Sequence, residues 1–158
     1  MKTSITCVLA LSLSVMASSG CNNKETKSPT QAELCEQTIL DYARLRDEVD
    51  QAEAYGELFT ENGIFELGPN VIKGQDALKD RHKAANKDTT FNHVMDDISI
   101  NGKTGKSRVV VYTQDRDGSD DITRVIIADY DDKFEFQDGK CLISERKVNV
   151  LFDTAQPN

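Results

Sequence analysis

Apolar positions fall into three regimes along the chain. Ile5 to Met16 is a nearly unbroken apolar run, preceded by Lys2 and followed by Ala17, Ser18, Ser19 and Gly20. At about twelve residues it is shorter than the ~20 a membrane-spanning helix needs, and its flanks are those of a secretory leader. Cys35, Ile39, Tyr42, Ala43, Arg46 and Val49 then recur at three- and four-residue steps, the period of a helix with one buried face. Thr30 stands three residues before Glu33 in capping-box spacing, which predicts a helix from about Gln31 to Arg46. A second, short helix is expected over Asp50–Phe59, with Ala54, Tyr55 and Leu58 as its apolar side. Asn62-Gly63 marks a turn, Ile64–Leu67 a short strand closed by Gly68-Pro69, and Gly74 opens a third helix to about Ala85.

Beyond residue 90 the period becomes two. Phe91–Ile100, Ser107–Gln114, Ile122–Gln137 and Cys141–Phe152 read as strands, separated by the hairpin-type dipeptides Asn101-Gly102, Asp117-Gly118 and Asp138-Gly139. Helices followed by long antiparallel strands imply an α+β domain, a cone-shaped curved antiparallel sheet packed with three N-terminal helices into an α+β barrel with an open mouth. The 158 residues suffice for one such domain and no second. The expected organisation is a leader over 1–20, a polar tether over 21–30 containing Ser28-Pro29, a folded domain over 31–152 and a tail over 153–158.

Charge narrows the function classes. Nineteen basic against 27 acidic residues give −8, and removing the leader takes away one lysine and no acid. No Lys/Arg cluster interrupts this acidic field, which excludes a protein that tracks nucleic-acid phosphates. Of the four cysteines, Cys7 leaves with the leader. Cys21 follows small residues and a glycine directly after the apolar run, which resembles the lipobox of bacterial lipoproteins, although Ser18 departs from the usual aliphatic residue. That resemblance implies acylation of Cys21 and a lipid-anchored envelope protein, on the periplasmic face of the outer membrane or the cell surface, touching the membrane through its anchor only. In such an oxidising compartment Cys35 and Cys141 remain as a single pair and are expected to form a disulfide.

Several polar side chains sit on faces that are otherwise apolar. Arg146 shares a face of the last strand with Leu142, Ser144, Val148, Val150 and Phe152, and Asp132 shares one with Tyr130, Phe134 and Phe136. A charge on an apolar face is costly unless paired, so the two are natural partners. Either they form a buried ion pair that fixes strand register, or Arg146 reaches a ligand's carbonyl or carboxylate. His93, in phase with Phe91 and Met95, is either a satisfied core residue or a catalytic base. His82, inside the polar run Asp80-Arg81-His82-Lys83, reads as solvated. Asp47 lies five residues after Tyr42, about 140° around an unbroken helix. The two share a site only if the helix ends near Arg46, and capping of the second helix is the other role open to Asp47 and to Asp50. No metal-ligand spacing, phosphate loop or nucleophile elbow occurs, so neither a metal nor an organic cofactor is implied.

Taken in order, Tyr42-Ala43, Asp47, Asp50, the segment Leu58–Phe65, Gly74, His93, Tyr130-x-Asp132, Asp138-Gly139 and Ile143-x-x-Arg146 resemble a SnoaL-like domain of the nuclear transport factor 2-like superfamily. The resemblance implies a sheet and three helices around a deep pocket. It also implies kinship with ketosteroid isomerases, scytalone dehydratase and bile-acid dehydratases. In the dehydratase-like branch Tyr42, Asp47 and His93 fall on catalytic positions and Arg146 on a substrate-binding one, with a further pocket acid near Asp115 or Asp117. Asp97 stands where family members often have Asn, and Cys141 where they usually have Trp. By the same resemblance, the expected activity is a cofactor-independent lyase or isomerase acting by proton abstraction on a small hydrophobic carbonyl compound. The alternative is a non-catalytic small-molecule-binding or assembly lipoprotein. Homodimerisation through the outer sheet face is implied for either.

Overall fold

The structure, a computed structural model, describes residues 27–85, 87–116 and 121–155. The leader, Cys21 and Asp117-Gly118 lie outside the described residues. Helix α1 (Gln31–Asp47) starts at Thr30, whose hydroxyl accepts from the Glu33 amide while the Glu33 carboxylate accepts from the Thr30 amide at 2.6 Å. Its buried face carries Cys35, Thr38, Ile39, Tyr42, Leu45 and Arg46. Helices α2 (Ala52–Gly56) and α3 (Gln75–Ala85) pack on each other beside it.

Six strands form a single sheet: β1 (Phe59–Leu67), β2 (Asn70–Lys73), β3 (Thr89–Asn101), β4 (Thr104–Asp115), β5 (Arg124–Gln137) and β6 (Lys140–Asp153). The order is β2-β1-β6-β5-β4-β3, with every neighbouring pair antiparallel except β1–β6. The sheet is curved and does not close, so the architecture is an α+β cone with β2 and β3 as free edges. Helix α1 lies against β3 and β6, and the core fills the space between.

Two local features depart from the periodic pattern, each through long-range pairing with β6. The second helix stops at Gly56, because Leu58 O accepts from Ile143 N at 2.8 Å and Phe59 is drawn into the sheet opposite Ile143. Asn62-Gly63 makes a bulge within β1 rather than a chain reversal. The pairing with β6 slips between Phe59 and Ile64, and a Cβ at Gly63 would lie 2.8 Å from that of Phe59. The reversal comes later, at Gly68-Pro69, where Gly68 takes a positive φ of 57° and the short strand β2 follows.

The simple alternation expected for the last strand is broken twice. Ser144 and Leu151 are each an extra residue against β5, so the inward set is Cys141, Ile143, Arg146, Val148, Val150 and Asp153, and Leu142, Ser144 and Phe152 do not belong to it. Bulges of this kind bend a strand and increase its twist. A third sits in β3, where pairing slips between Asp96 and Ser99 and Asp97 adopts a φ of 50°. Asp and Asn tolerate that left-handed region best among residues with a side chain.

Cys35 of α1 and Cys141 of β6 are joined in a disulfide, 106 residues apart in sequence. Thr38 donates to the Cys141 carbonyl at 2.7 Å, one helical turn further along. Reduction should lower unfolding stability by about 2–5 kcal/mol, the usual worth of a native bridge closing a long loop. Urea melts with and without a thiol reductant check this, and an unchanged midpoint would contradict it.

Candidate active site

The site is built on a buried ion pair. Asp132 and Arg146 stand directly opposite each other on β5 and β6, and Arg146 donates to both carboxylate oxygens, from Nε at 2.7 Å and Nη2 at 2.6 Å. Both side chains are fully buried. The Arg146 guanidinium lies 3.9 Å from the centre of the Tyr42 ring and 4.3 Å from that of Tyr130, so the two aromatic faces cover the cation. Burial alone would weaken its hold on the proton, but Asp132 outweighs burial and raises its pKa. Arg146 therefore does not line the cavity, contrary to the substrate-binding role that the resemblance implies. Asp132 takes its Nε and Nη2 and the two tyrosine rings cover its faces, while Nη1 is buried without a hydrogen-bond partner among the described residues.

Above this floor the end of α1 meets the edge strand β3. Asp47 is the last residue of α1, and Glu48 turns to an extended conformation. One Asp47 oxygen accepts from the His93 backbone amide at 2.8 Å and the other from His93 Nδ1 at 2.5 Å. The carboxylate thus holds both the strand and the ring, and it does not cap the second helix. With Nδ1 committed, Nε2 is the nitrogen left to the cavity that His93 lines. Burial lowers the His93 pKa below its ordinary 6.5, against the opposing pull of Asp47, so the ring is neutral at pH 7. Tyr42 lies at the centre of an aromatic cluster, with its ring edge-on to His93 at 6.4 Å and to Tyr130 at 5.8 Å. Burial would raise the Tyr42 pKa, yet the charges of Arg81, Arg146 and Arg46 prevail and lower it, which makes its hydroxyl a stronger donor.

These groups border a cavity of 740 Å³, with Tyr42, Arg46, Arg81 and His93 on the helix side and Val109, Val111, Ile126, Ala128 and Val148 on the sheet. Arg46 and Arg81 are cavity-lining residues that the sequence did not single out as site candidates. Arg46 stacks on Phe91 at 4.3 Å; Arg81 stacks on Phe65 at 4.0 Å and donates to the Tyr55 hydroxyl at 3.1 Å. The available signal was spacing, since Arg46 is one helical turn beyond Tyr42. His82 corrects the expectation of a solvated residue. It is 1% exposed and its Nε2 donates to Leu45 O at 2.8 Å, because i,i+4 spacing from the buried Leu78 turns it inward. Asp115 is an exposed residue at the end of β4 and Asp117 lies outside the described residues. The acid that does line the cavity is Asp153, bound by both nitrogens of the Arg124 fork.

A curved six-stranded sheet of this order packed with helices is the fold of nuclear transport factor 2-like proteins. The SnoaL-like domain model matches residues 30–147, and the chain belongs to that family. Among solved structures it is similar to a scytalone dehydratase-like protein of Novosphingobium aromaticivorans, with 21% identity, a TM-score of 0.66, and coverage of 79% of this chain and 87% of that one. It is similar to LinA at 16% identity, a TM-score of 0.65, and 77% and 86% coverage. A third, ActVI-ORFA of Streptomyces coelicolor, shares 16% identity at a TM-score of 0.60, with 75% and 95% covered. These likenesses show the fold. Comparison of the sequence with curated proteins finds no match.

The ion pair yields a direct test. Asp132→Asn leaves a buried guanidinium without its counter-charge and should cost about 3–5 kcal/mol, whereas replacing both partners with Leu and Met should cost less than that single change. Chemical denaturation of the wild type and the two variants decides this, and equal losses in both variants would refute the account.

Proposed function

We propose that this chain is an envelope lipoprotein whose domain is a cofactor-independent lyase or isomerase, removing a proton beside the carbonyl of a small hydrophobic compound. SnoaL-like proteins are often isomerases or dehydratases. The observation that carries the reading is the Asp47–His93 bond on the wall of the cavity that also presents Tyr42. Anchoring rests on the leader and Cys21 alone.

In this reading His93 Nε2 takes the proton from the carbon next to the carbonyl, and the electron pair of that bond moves onto the carbonyl oxygen. Tyr42 donates to the resulting oxyanion, and the charges of Arg81 and Arg46 favour it in a cavity from which much water is excluded. Asp47 keeps the proton of the neutral ring on Nδ1 and stabilises the imidazolium that forms. Collapse of the enolate then expels a β-hydroxyl, which takes the proton from His93 and leaves as water; an isomerase instead returns the proton to a conjugated carbon.

A β-hydroxy ketone and a β,γ-unsaturated ketosteroid are suitable probes, followed by product formation and by exchange of the abstracted proton in D2O. His93→Ala should lower turnover by about 10²–10⁴-fold, the range for a positioned general base, with probe binding retained in thermal shift. Tyr42→Phe should cost about 10²–10³-fold, as for loss of one oxyanion donor. If the wild-type protein neither turns over nor exchanges any probe, yet binds as His93→Ala does, the protein is the non-catalytic binder.

The pH dependence has a definite sign. His93 acts as a base only when neutral, and burial lowers its pKa from 6.5. The kcat/KM should therefore be level above about pH 6.5 and fall only at lower pH, on the acid limb. A limb centred above 6.5 would exclude His93 as the base.

A further inference from the structure

The charge inside the cavity is opposite to that of the chain. Among the described residues three guanidiniums line it, those of Arg46, Arg81 and Arg124, against one carboxylate, Asp153, which Arg124 already takes in both oxygens. The other two acids of the site are also committed, Asp47 to His93 and Asp132 to Arg146. Arg81 has a different environment. Its guanidinium lies over the Phe65 ring and gives Nη1 to the Tyr55 hydroxyl. Burial works against its charge, yet its pKa is raised by the surrounding tyrosines Tyr55, Tyr42 and Tyr130. Arg46, 3% exposed, brings a second positive charge close enough for the two to repel.

The Arg81 guanidinium, met by a hydroxyl and an aromatic ring, places a charge at the wall of an apolar cavity that an anion would relieve. A guanidinium fork matches a carboxylate better than any other common group. On the sheet, Val109, Val111, Ile126, Ala128 and Val148 offer hydrocarbon beside the Arg124–Asp153 pair.

We infer that the cavity selects an amphipathic carboxylic acid, whose carboxylate is taken by Arg81 beside Arg46 and whose apolar body lies on the β4–β6 wall. This rests on the cavity being the ligand site of the proposed function, and it names the substrate class. The neutral carbonyl compounds above would then be poor substrates beside acids of the same skeleton. Arg81 is in this sense the specificity-determining residue, and His93 is not.

The probes are 2-naphthoate and 2-naphthamide, which share rings and size and differ in charge, titrated calorimetrically into the folded protein. The wild type should bind naphthoate at least about tenfold more tightly, the worth of one charge-assisted hydrogen bond. Arg81→Gln should abolish the preference and Arg81→Lys should keep part of it, with thermal melts showing that both variants fold. His93→Ala should keep it whole. Equal affinity for the two probes in the wild type, binding of neither, or a preference unchanged in folded Arg81→Gln overturns the inference. Neither probe has a proton to lose beside a carbonyl, so this result is independent of turnover. A preference for naphthoate without any catalysis removes the reaction alone, and turnover of neutral ketones without a preference removes the carboxylate alone.

Discussion

A guanidinium with no access to water lies between two strands at the base of the cavity, and much of the site rests on it. Arg146 is held by Asp132 across β5 and β6 and sandwiched by the rings of Tyr42 and Tyr130. The pair fixes the register of the two longest strands, since a slip of one residue would point both charges to the opposite face. It also locates Tyr42, because a ring stacked on a cation that cannot move has little freedom of its own. One buried interaction therefore sets strand register and the position of a cavity hydroxyl together.

The second constraint lies at the other end of α1. Asp47 ties the helix terminus to the free edge of β3 through the backbone amide and ring of His93. An edge strand has unpaired amides, and one of them here is met by a side chain rather than by another strand. The disulfide and Thr38 hold the start of the same helix to β6. Helix α1 is thus clamped near both ends across the concave face, and the cavity opens between its buried side and the sheet. Bulges at Ser144 and Leu151 bend β6 beneath it and bring Asp153 inward to meet Arg124.

Within this frame the electrostatics divide into closed and open parts. Asp153 is held by Arg124 and Asp132 by Arg146, whose Nη1 alone is left without a hydrogen bond among the described residues. The Asp47–His93 pair leaves one ring nitrogen over, and Arg81 is held by hydroxyls and an aromatic face. The groups with capacity left for a ligand are thus a neutral imidazole, a tyrosine hydroxyl with lowered pKa and a buried cation, gathered against a hydrocarbon wall.

Much of this was legible in the residues. Capping-box spacing and a 3.6-residue period placed α1 to within a residue, period-two runs located the four long strands, and a charge on each of two apolar faces pointed to Asp132 and Arg146 as partners. These are local signals, carried by side chains a few positions apart. Four features were decided by tertiary structure because they depend on partners distant in the chain. The second helix ended early once Phe59 paired with Ile143. Asn62-Gly63 became a bulge because β6 runs alongside it, and two extra residues in β6 changed which side chains face inward. His82 and Arg81, polar in a polar run, turned into the core and the cavity because of where α3 packs. The sequence by itself determined the order and type of the elements and the need for a buried pair. Only the assembled sheet and helices decided which cations line the cavity, since the cost of a buried charge depends on what surrounds it in space.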